Sequence, residues 1–194
     1  MADFLKTDYS NNTGSNYDPL PTGTYEMIIN KVQETATKNG AESLQIDLLV
    51  RNDLDGVPGL KDTNAKFHNR HVFNDNWKRK ATNQYDLDGF QYILQAAGVP
   101  EGTPVGTVDD FMRLINGAAV KVYVKQEEND YQGQKSMVNR VAPWNYEKTD
   151  FPSVQHQFKN SANKSQSQSQ STPAPDPFAN SGDSIQISDE DIPF

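Results

Sequence analysis

Cationic and aromatic side chains are concentrated between residues 61 and 80. The segment holds six Lys and Arg against two Asp, a local charge of +4 in a chain whose formal net charge is −8. It also holds Phe67, Phe73 and Trp77, together with two histidines. Cations neutralise phosphates and aromatic faces stack on bases, which are the two contacts needed to bind a single nucleic-acid strand without reading its sequence. The segment therefore predicts a binding site for a polyanion with aromatic bases, such as a single nucleic-acid strand.

A second group of the same kind follows in residues 120–140. Val120, Val122 and Val124 alternate with two lysines and a tyrosine, so the polar face of this strand exposes an aromatic ring between two cations. The predicted contacts to the polyanion are Lys66, Arg70, Trp77, Lys78, Arg79, Lys80, Lys121, Tyr123, Lys125, Tyr131, Lys135 and Arg140.

Other aromatic residues are assigned to the core. Phe67 and Phe73 flank the basic segment, and we expect both to be core residues rather than stacking platforms. Trp144 and Tyr146 close the domain and are predicted to be structural.

The residues that catalysis or a metal would need are missing. The chain has no Cys, which excludes disulfides, a thiolate zinc site and a cysteine nucleophile. His68 and His71 would project from opposite faces of a strand, so joint metal ligation is not expected. No glycine-rich phosphate loop, serine elbow or zinc-protease motif is present. We therefore predict a protein that is not an enzyme and has no cofactor and no metal.

Charge and hydropathy point to a cytoplasmic protein without a membrane partner. No apolar run approaches the roughly 20 residues of a membrane helix, and no basic and apolar leader is visible.

A net charge of −8 argues at first sight against a nucleic-acid partner. Half of that charge lies in residues 150–194, which hold two Lys against six Asp and Glu. The other half lies in residues 1–149, where residues 61–80 carry +4 and the rest −8, so the exclusion fails for the basic segment although the body is not basic overall.

The elements that position these residues are mostly strands. Apolar residues alternate with period two around residues 25–29, 44–50, 67–73, 120–124 and 137–141, with Asn39-Gly40 placed for a hairpin turn. Helical spacing replaces this alternation in Leu87–Ala97, with Asp86 as N-cap, and in Val108–Ile115, where Thr107 and Asp110 form a capping-box pattern. The order β-β-β-α-α-β-β predicts a mainly β chain with an OB-fold, a five-stranded Greek-key barrel whose helical connection joins strands 3 and 4.

Composition divides the chain into four parts. Residues 1–19 are predicted to be a flexible N-terminus and residues 20–146 the folded domain. Residues 147–184 are rich in Ser, Gln and Pro and are predicted to be a disordered linker. Residues 185–194 end in three carboxylates followed by Ile, Pro and Phe, and we interpret them as a protein-docking tip.

The chemistry of a docking peptide is complete at this terminus. The Phe194 ring can fill a pocket, its α-carboxylate can pair with a basic group, and Pro193 reduces the cost of ordering the backbone. The acidic run steers the peptide toward basic surfaces. The predicted docking residues are Asp189, Glu190, Asp191, Ile192, Pro193 and Phe194.

This terminus closely resembles the C-terminal tip of bacterial single-stranded DNA-binding proteins (SSB), with Glu190 in place of the usual Asp. The segment Phe67–Phe73 and the helix after it look more like phage-encoded SSB-like proteins of Gram-positive hosts. The resemblance implies an OB-fold that coats single-stranded DNA. It also implies a tip that recruits replication, recombination and repair proteins, and a possible homo-oligomer.

Two other functions remain open at this point. The chain would be an adaptor if it only mimics the tip and occupies the tip-binding pockets of host proteins without binding DNA. A small nuclease is the third candidate, although no paired acidic metal ligands stand out.

Overall fold

The computed structural model describes residues 18–131 and 133–158. The chain divides into two units, Met1–Gln157 and Phe158–Phe194, of which the first holds all the secondary structure described here. The predictions for residues 1–17 and 159–194, which include most of the linker and the whole tip, lie outside the described residues. The strands are β1 (Gly23–Ala36), β2 (Glu42–Val50), β3 (His71–Trp77), β4 (Ala119–Tyr131), β5 (Gln134–Arg140) and β6 (Tyr146–Lys148).

These strands form one antiparallel sheet that stays open. Its order is β3-β2-β1-β4-β5, and β6 pairs with β4 beside this path. β3 and β5 are not hydrogen-bonded to each other, so the sheet does not close into a complete barrel. The prediction of a mainly β chain is confirmed, and the arrangement is consistent with an OB-like fold.

The β1–β2 hairpin follows the alternation expected from the sequence. Tyr25, Met27 and Ile29 face the core from β1, and the even-numbered residues 44–50 face it from β2. A register shift between Ile29 and Lys31 keeps the later part of β1 in phase with β2. The turn passes through Gly40, whose φ of +78° only glycine adopts without strain.

Two helices connect β3 to β4 and cover the core. They are α1 (Leu87–Ala96) and α2 (Val108–Ile115). The Thr107 hydroxyl accepts from the Asp110 N–H while Asp110 accepts from the Thr107 N–H, so the predicted capping box is present. The Phe90 and Phe111 rings stack with centroids 4.3 Å apart and join the helices over the core.

The folded domain continues past residue 146, where the sequence placed its end. After β6, residues 149–157 cross the outer face of β1 and the end of β2; we call them the strap. The Glu26 carboxylate accepts from the Thr149 hydroxyl and the Asp150 N–H, and Asn52 hydrogen-bonds to Gln157. Residues 147–157 are mostly polar, and their few apolar residues show no alternation, which explains why they resemble a linker in the sequence.

Candidate nucleic-acid interface

The outer face of β3 carries a row of exposed rings. Along this strand the buried residues Val72 and Asn74 alternate with the exposed residues His71, Phe73 and Trp77. Phe73 is 57 % exposed and Trp77 is 46 % exposed. Strand residues rise about 3.3 Å each, so the Phe73 and Trp77 positions lie about 13 Å apart on one face. This spacing presents two separate stacking surfaces in line.

The prediction that Phe73 is a core residue is wrong, whereas Phe67 packs partly buried against the core, edge-on to Tyr25 at 6.2 Å. The error arises because two of the three inward residues of β3, Asn74 and Asn76, are polar. The Asn74 amide donates to the Tyr146 hydroxyl at 2.9 Å, and the Asn76 amide donates to the Leu44 carbonyl at 3.3 Å. Because both asparagine amides have hydrogen-bond partners, they can occupy the inward face, and Phe73 and Trp77 lie on the outward face.

His71 is fixed beside Phe73 by a carboxylate beneath it. The His71 Nδ1 lies 2.7 Å from the Asp47 Oδ1, and the Asn30 amide donates to the Asp47 Oδ2 at 2.6 Å. The planes of the His71 imidazole and the Phe73 ring make an angle of 14°, and the ring centroids are 6.1 Å apart. Residue 68 lies before β3, not on it, and its Nδ1 contacts the Asp55 carboxylate at 2.7 Å. The two histidines therefore contact different carboxylates, and the prediction that both lie on one strand is wrong.

A ladder of polar side chains forms the floor between Phe73 and Trp77. Asp75 accepts from the Ser43 hydroxyl at 3.3 Å and from the Gln45 amide at 3.2 Å. The Gln33 amide in turn donates to the Gln45 carbonyl oxygen at 3.1 Å. These bonds join β1, β2 and β3 on the outer face, so the side chains between the rings are held in place rather than free.

Five of the nine predicted cations are paired with carboxylates. Lys78 bonds to Glu42, and its ammonium lies 5.0 Å from the centroid of the Tyr85 ring. The Glu42 hydrogen bond raises the pKa of Lys78, and the Asp150 hydrogen bond, followed by that of Glu147, raises the pKa of Lys121. The other pairs are Arg79–Asp86 at 3.2 Å, Lys121 with Glu147 at 3.2 Å and Asp150 at 3.1 Å, Lys125–Glu127 at 2.6 Å and Lys135–Glu128 at 2.8 Å.

The other four predicted cations form no salt bridge with a carboxylate among the described residues. The Lys66 ammonium lies 5.3 Å from the centroid of the Phe67 ring. Arg70 donates to the Asp18 carbonyl, and Arg140 donates to the Asn129 amide oxygen at 3.4 Å. Lys80 is exposed in the loop after β3. Lys66, Arg70 and Lys80 keep an unneutralised positive charge, whereas the Arg140 charge interacts with the Glu127 carboxylate and helps to lower the pKa of Glu127.

The structure does not gather the predicted residues into one patch. Lys66 and Arg70 precede β3, and Trp77 with the three basic residues after it lies at the other end of that strand. Lys121, Tyr123 and Lys125 lie on β4, separated from β3 by β1 and β2 in the sheet order. Tyr131 and Lys135 lie at the far end of the β4–β5 hairpin, where β4 pairs only with β5.

Sequence reasoning missed Lys31 as well as the outward direction of Phe73. Lys31 pairs in register with Asp47, and Asp47 pairs with Phe73, so all three belong to one row across the outer face. Lys31 is exposed and has no ion pair within the described chain. The signal for Phe73 was present in the spacing of His71, Phe73 and Trp77, which period two puts on one face.

Trp144 and Tyr146 differ in their roles. Tyr146 is buried and structural, as predicted, and burial raises its pKa. Trp144 is 68 % exposed in a short 3-10 turn, so its assignment as a structural residue is wrong. Within the described ranges, no group of three or more potential metal ligands occurs, and no helix is long and apolar enough to span a membrane.

Comparison with known proteins finds similar solved structures and one family. A structure of yeast RPA bound to ssDNA is similar, with 9 % identity and a TM-score of 0.33 over 84 % of this chain and 95 % of that chain. No curated protein matches the sequence. The family model described as "Protein of unknown function (DUF669)" matches residues 5–171, which is most of the chain. The protein therefore belongs to the DUF669 family.

Proposed function

We propose that this protein is a non-catalytic single-stranded DNA-binding protein. It coats single strands during the replication, recombination and repair of a phage or its bacterial host, in the host cytoplasm. The observation that carries the proposal is the row of exposed rings on β3, at Phe73 and Trp77 with His71 locked beside them. Each base stacked on an aromatic side chain contributes about 1–3 kcal/mol.

The rings are suited to bases because the sheet holds them apart and outward. Their spacing of about 13 Å leaves each face open to a separate base along an extended strand. A duplex keeps its bases stacked on each other, so these faces select single strands. The floor between the rings bears the Asp75 carboxylate, which repels phosphate and favours the base side of the strand.

The chain's two tryptophans allow a direct test. The variant Trp144→Phe leaves Trp77 as the only indole, and the variant Trp77→Phe leaves only Trp144. Titration of each with oligo-dT is followed by tryptophan fluorescence. We expect quenching that saturates in Trp144→Phe and little change in Trp77→Phe. Fluorescence polarisation with labelled oligo-dT measures the affinity independently. Binding weaker than about 10 µM at low salt in both assays contradicts the proposal.

The recruiting function is assigned to the tip at residues 189–194. Its support is the sequence alone, since three carboxylates precede Ile192, Pro193 and Phe194. An affinity near micromolar is expected of so short a peptide, which makes several tips on one coated strand more effective than one.

One observation favours the adaptor as a second candidate. Five of the nine predicted cations are neutralised by carboxylates, so the described surface attracts phosphate less than its lysine content suggests. An adaptor that occupies tip-binding pockets on host proteins needs no phosphate contacts. The oligo-dT titration separates the two functions, because the adaptor leaves Trp77 fluorescence unchanged.

A further inference from the structure

We propose that the phosphates of the bound strand are contacted by four unpaired cations that frame the β3 face, Lys31, Lys66, Arg70 and Lys80. This inference rests on the proposed function and specifies which cations contact the phosphates of the bound DNA. The remaining lysines that the sequence suggested are neutralised within the fold and contribute little. The strand then runs along β3, with phosphate contacts at both ends of the row of rings.

The position of these cations follows from the chain and the register. Lys66 and Arg70 lie in the helical turn and loop that lead into His71, and Lys80 lies three residues after Trp77. Lys31 lies across the sheet in the row of Phe73. The six steps from His71 to Trp77 span about 20 Å, and along the chain Lys66 and Arg70 precede this strand while Lys80 follows it.

The partners of these cations leave their charge available. Lys66 lies over the Phe67 ring, and Arg70 donates to a backbone carbonyl, which is neutral. Lys31 and Lys80 are exposed and make no ion pair with any residue in the described ranges. A phosphate that reaches these groups displaces only water and a weak neutral contact.

The paired lysines behave differently because a phosphate has to displace a carboxylate. Lys125 and Lys135 already lie 2.6 and 2.8 Å from Glu127 and Glu128. Exchange of one anion for another changes the net charge at the protein surface very little, so few counterions leave the DNA. The dependence of affinity on salt therefore counts the unpaired cations and not the paired ones.

The test measures the slope of log Kd against log salt for labelled oligo-dT. Each phosphate neutralised on a single strand contributes about 0.7 to this slope, so four contacts predict a slope near 3 in magnitude. Lys80→Gln and Lys31→Gln are each expected to lower the magnitude by about 0.7. Lys125→Gln and Lys135→Gln are the matched controls, since they remove exposed but paired lysines, and both should keep the wild-type slope.

The outcomes separate this inference from the function on which it rests. If the wild-type protein binds oligo-dT and Lys125→Gln lowers the slope as much as Lys80→Gln, the assignment of the phosphate contacts is overturned while the function stands. Unchanged slopes in both Lys80→Gln and Lys31→Gln overturn it as well. If the wild-type protein does not bind oligo-dT at low salt, the proposed function fails and this inference falls with it.

Discussion

The Arg51 guanidinium is completely buried and donates a hydrogen bond of 2.6 Å to the Phe151 carbonyl of the strap. It donates a second bond to the Ser153 carbonyl at 2.7 Å and forms a two-bond pair with the Asp53 carboxylate at 3.0 and 2.6 Å. One side chain at the end of β2 thus holds the segment that follows β6, a hundred residues later in the chain. The strap is therefore part of the folded domain and not the beginning of the tail.

Loss of Arg51 should destabilise the domain strongly. Arg51→Met removes the cation but leaves the Asp53 carboxylate and two carbonyls without their donors. Breaking one side of a buried pair costs about 3–5 kcal/mol, and the free energy of unfolding in urea should fall by that amount. Arg79→Met is the control, because Arg79 is exposed and pairs with Asp86 at 3.2 Å. That variant should lose less than about 1 kcal/mol. Equal losses in the two variants would contradict the role given to Arg51.

The strap should also make stability depend on pH. The His156 Nδ1 accepts a hydrogen bond of 3.1 Å from the Asn52 N–H, and burial of the ring lowers the pKa of His156. Asp53 lies nearby and opposes this shift, whereas Arg51, His68 and His71 add to it. Because the unfolded chain takes up the proton first, stability should fall as pH drops below about 6.5.

Urea unfolding at pH 7.5, 6.5 and 5.5 tests this dependence. His156→Asn keeps an acceptor oxygen at this position without a group that titrates, so its loss of stability between pH 7.5 and 5.5 should be smaller than in the wild type. Burial raises the pKa of Asp53, but the Arg51 and Gln155 hydrogen bonds and the Arg51 charge outweigh it and leave the pKa below its usual range. Its contribution to stability is present above about pH 4 and is lost as pH falls through the lowered pKa, so it is constant between pH 5.5 and 7.5 and adds nothing to the pH dependence there. An equal change in the free energy of unfolding between pH 7.5 and 5.5 in wild type and His156→Asn would contradict the prediction.

Substitution of two adjacent residues on β3 should affect different properties, the stability of the domain for Val72 and DNA binding for Phe73. Val72 is buried and Phe73 is exposed, so Val72→Ala should lower the free energy of unfolding by about 1–3 kcal/mol. Phe73→Ala should change it by less than about 0.5 kcal/mol but weaken oligo-dT binding by roughly fivefold or more. Urea titration and fluorescence polarisation on the same two proteins check both halves. If Phe73→Ala binds oligo-dT as the wild type does, the ring row is not the stacking surface.

The sequence predicts most of the fold because the core follows simple periods. The odd residues 25–29 and the even residues 44–50 form the inward face and alternate mostly with polar residues, with Ile28 and Leu49 as the exceptions. Thr107 with Asp110 specifies the start of α2 by hydrogen bonds confined to four residues. Where the bonds join distant parts of the chain, this reasoning fails. The strap is held by Glu26 in β1 and Arg51 directly after β2, and single charged residues at such positions give no sign in the sequence that they are buried.

The sequence predicted several residues of the candidate site but not how the fold orients and pairs them. Trp77 and its basic neighbours form a recognisable group, and Trp77 is exposed as expected. Phe73 was assigned to the wrong side because Asn74, which takes the inward place, is satisfied by Tyr146, 72 residues later. The pairing of Lys135 with Glu128 depends on the register of β5 against β4, and Lys125 pairs with Glu127 because both lie on one face of β4; charge counts over a window include neither relation.

The tip should act independently of DNA binding. Phe194→Ala removes the terminal ring and keeps the length and charge of the chain, so the partner's pocket loses its anchor while the β3 face is untouched. We expect the oligo-dT Kd to change by less than about twofold and the pull-down of host replication and repair proteins to be lost, since a buried Phe contributes about 1.5–3 kcal/mol to a contact that is only micromolar. Phe178→Ala is the matched control, because it removes another Phe from the same tail and should keep the pull-down. Retention of the partners by Phe194→Ala would show that they recognise another part of the chain. A large loss of oligo-dT affinity would mean that the tail and the β3 face do not act separately.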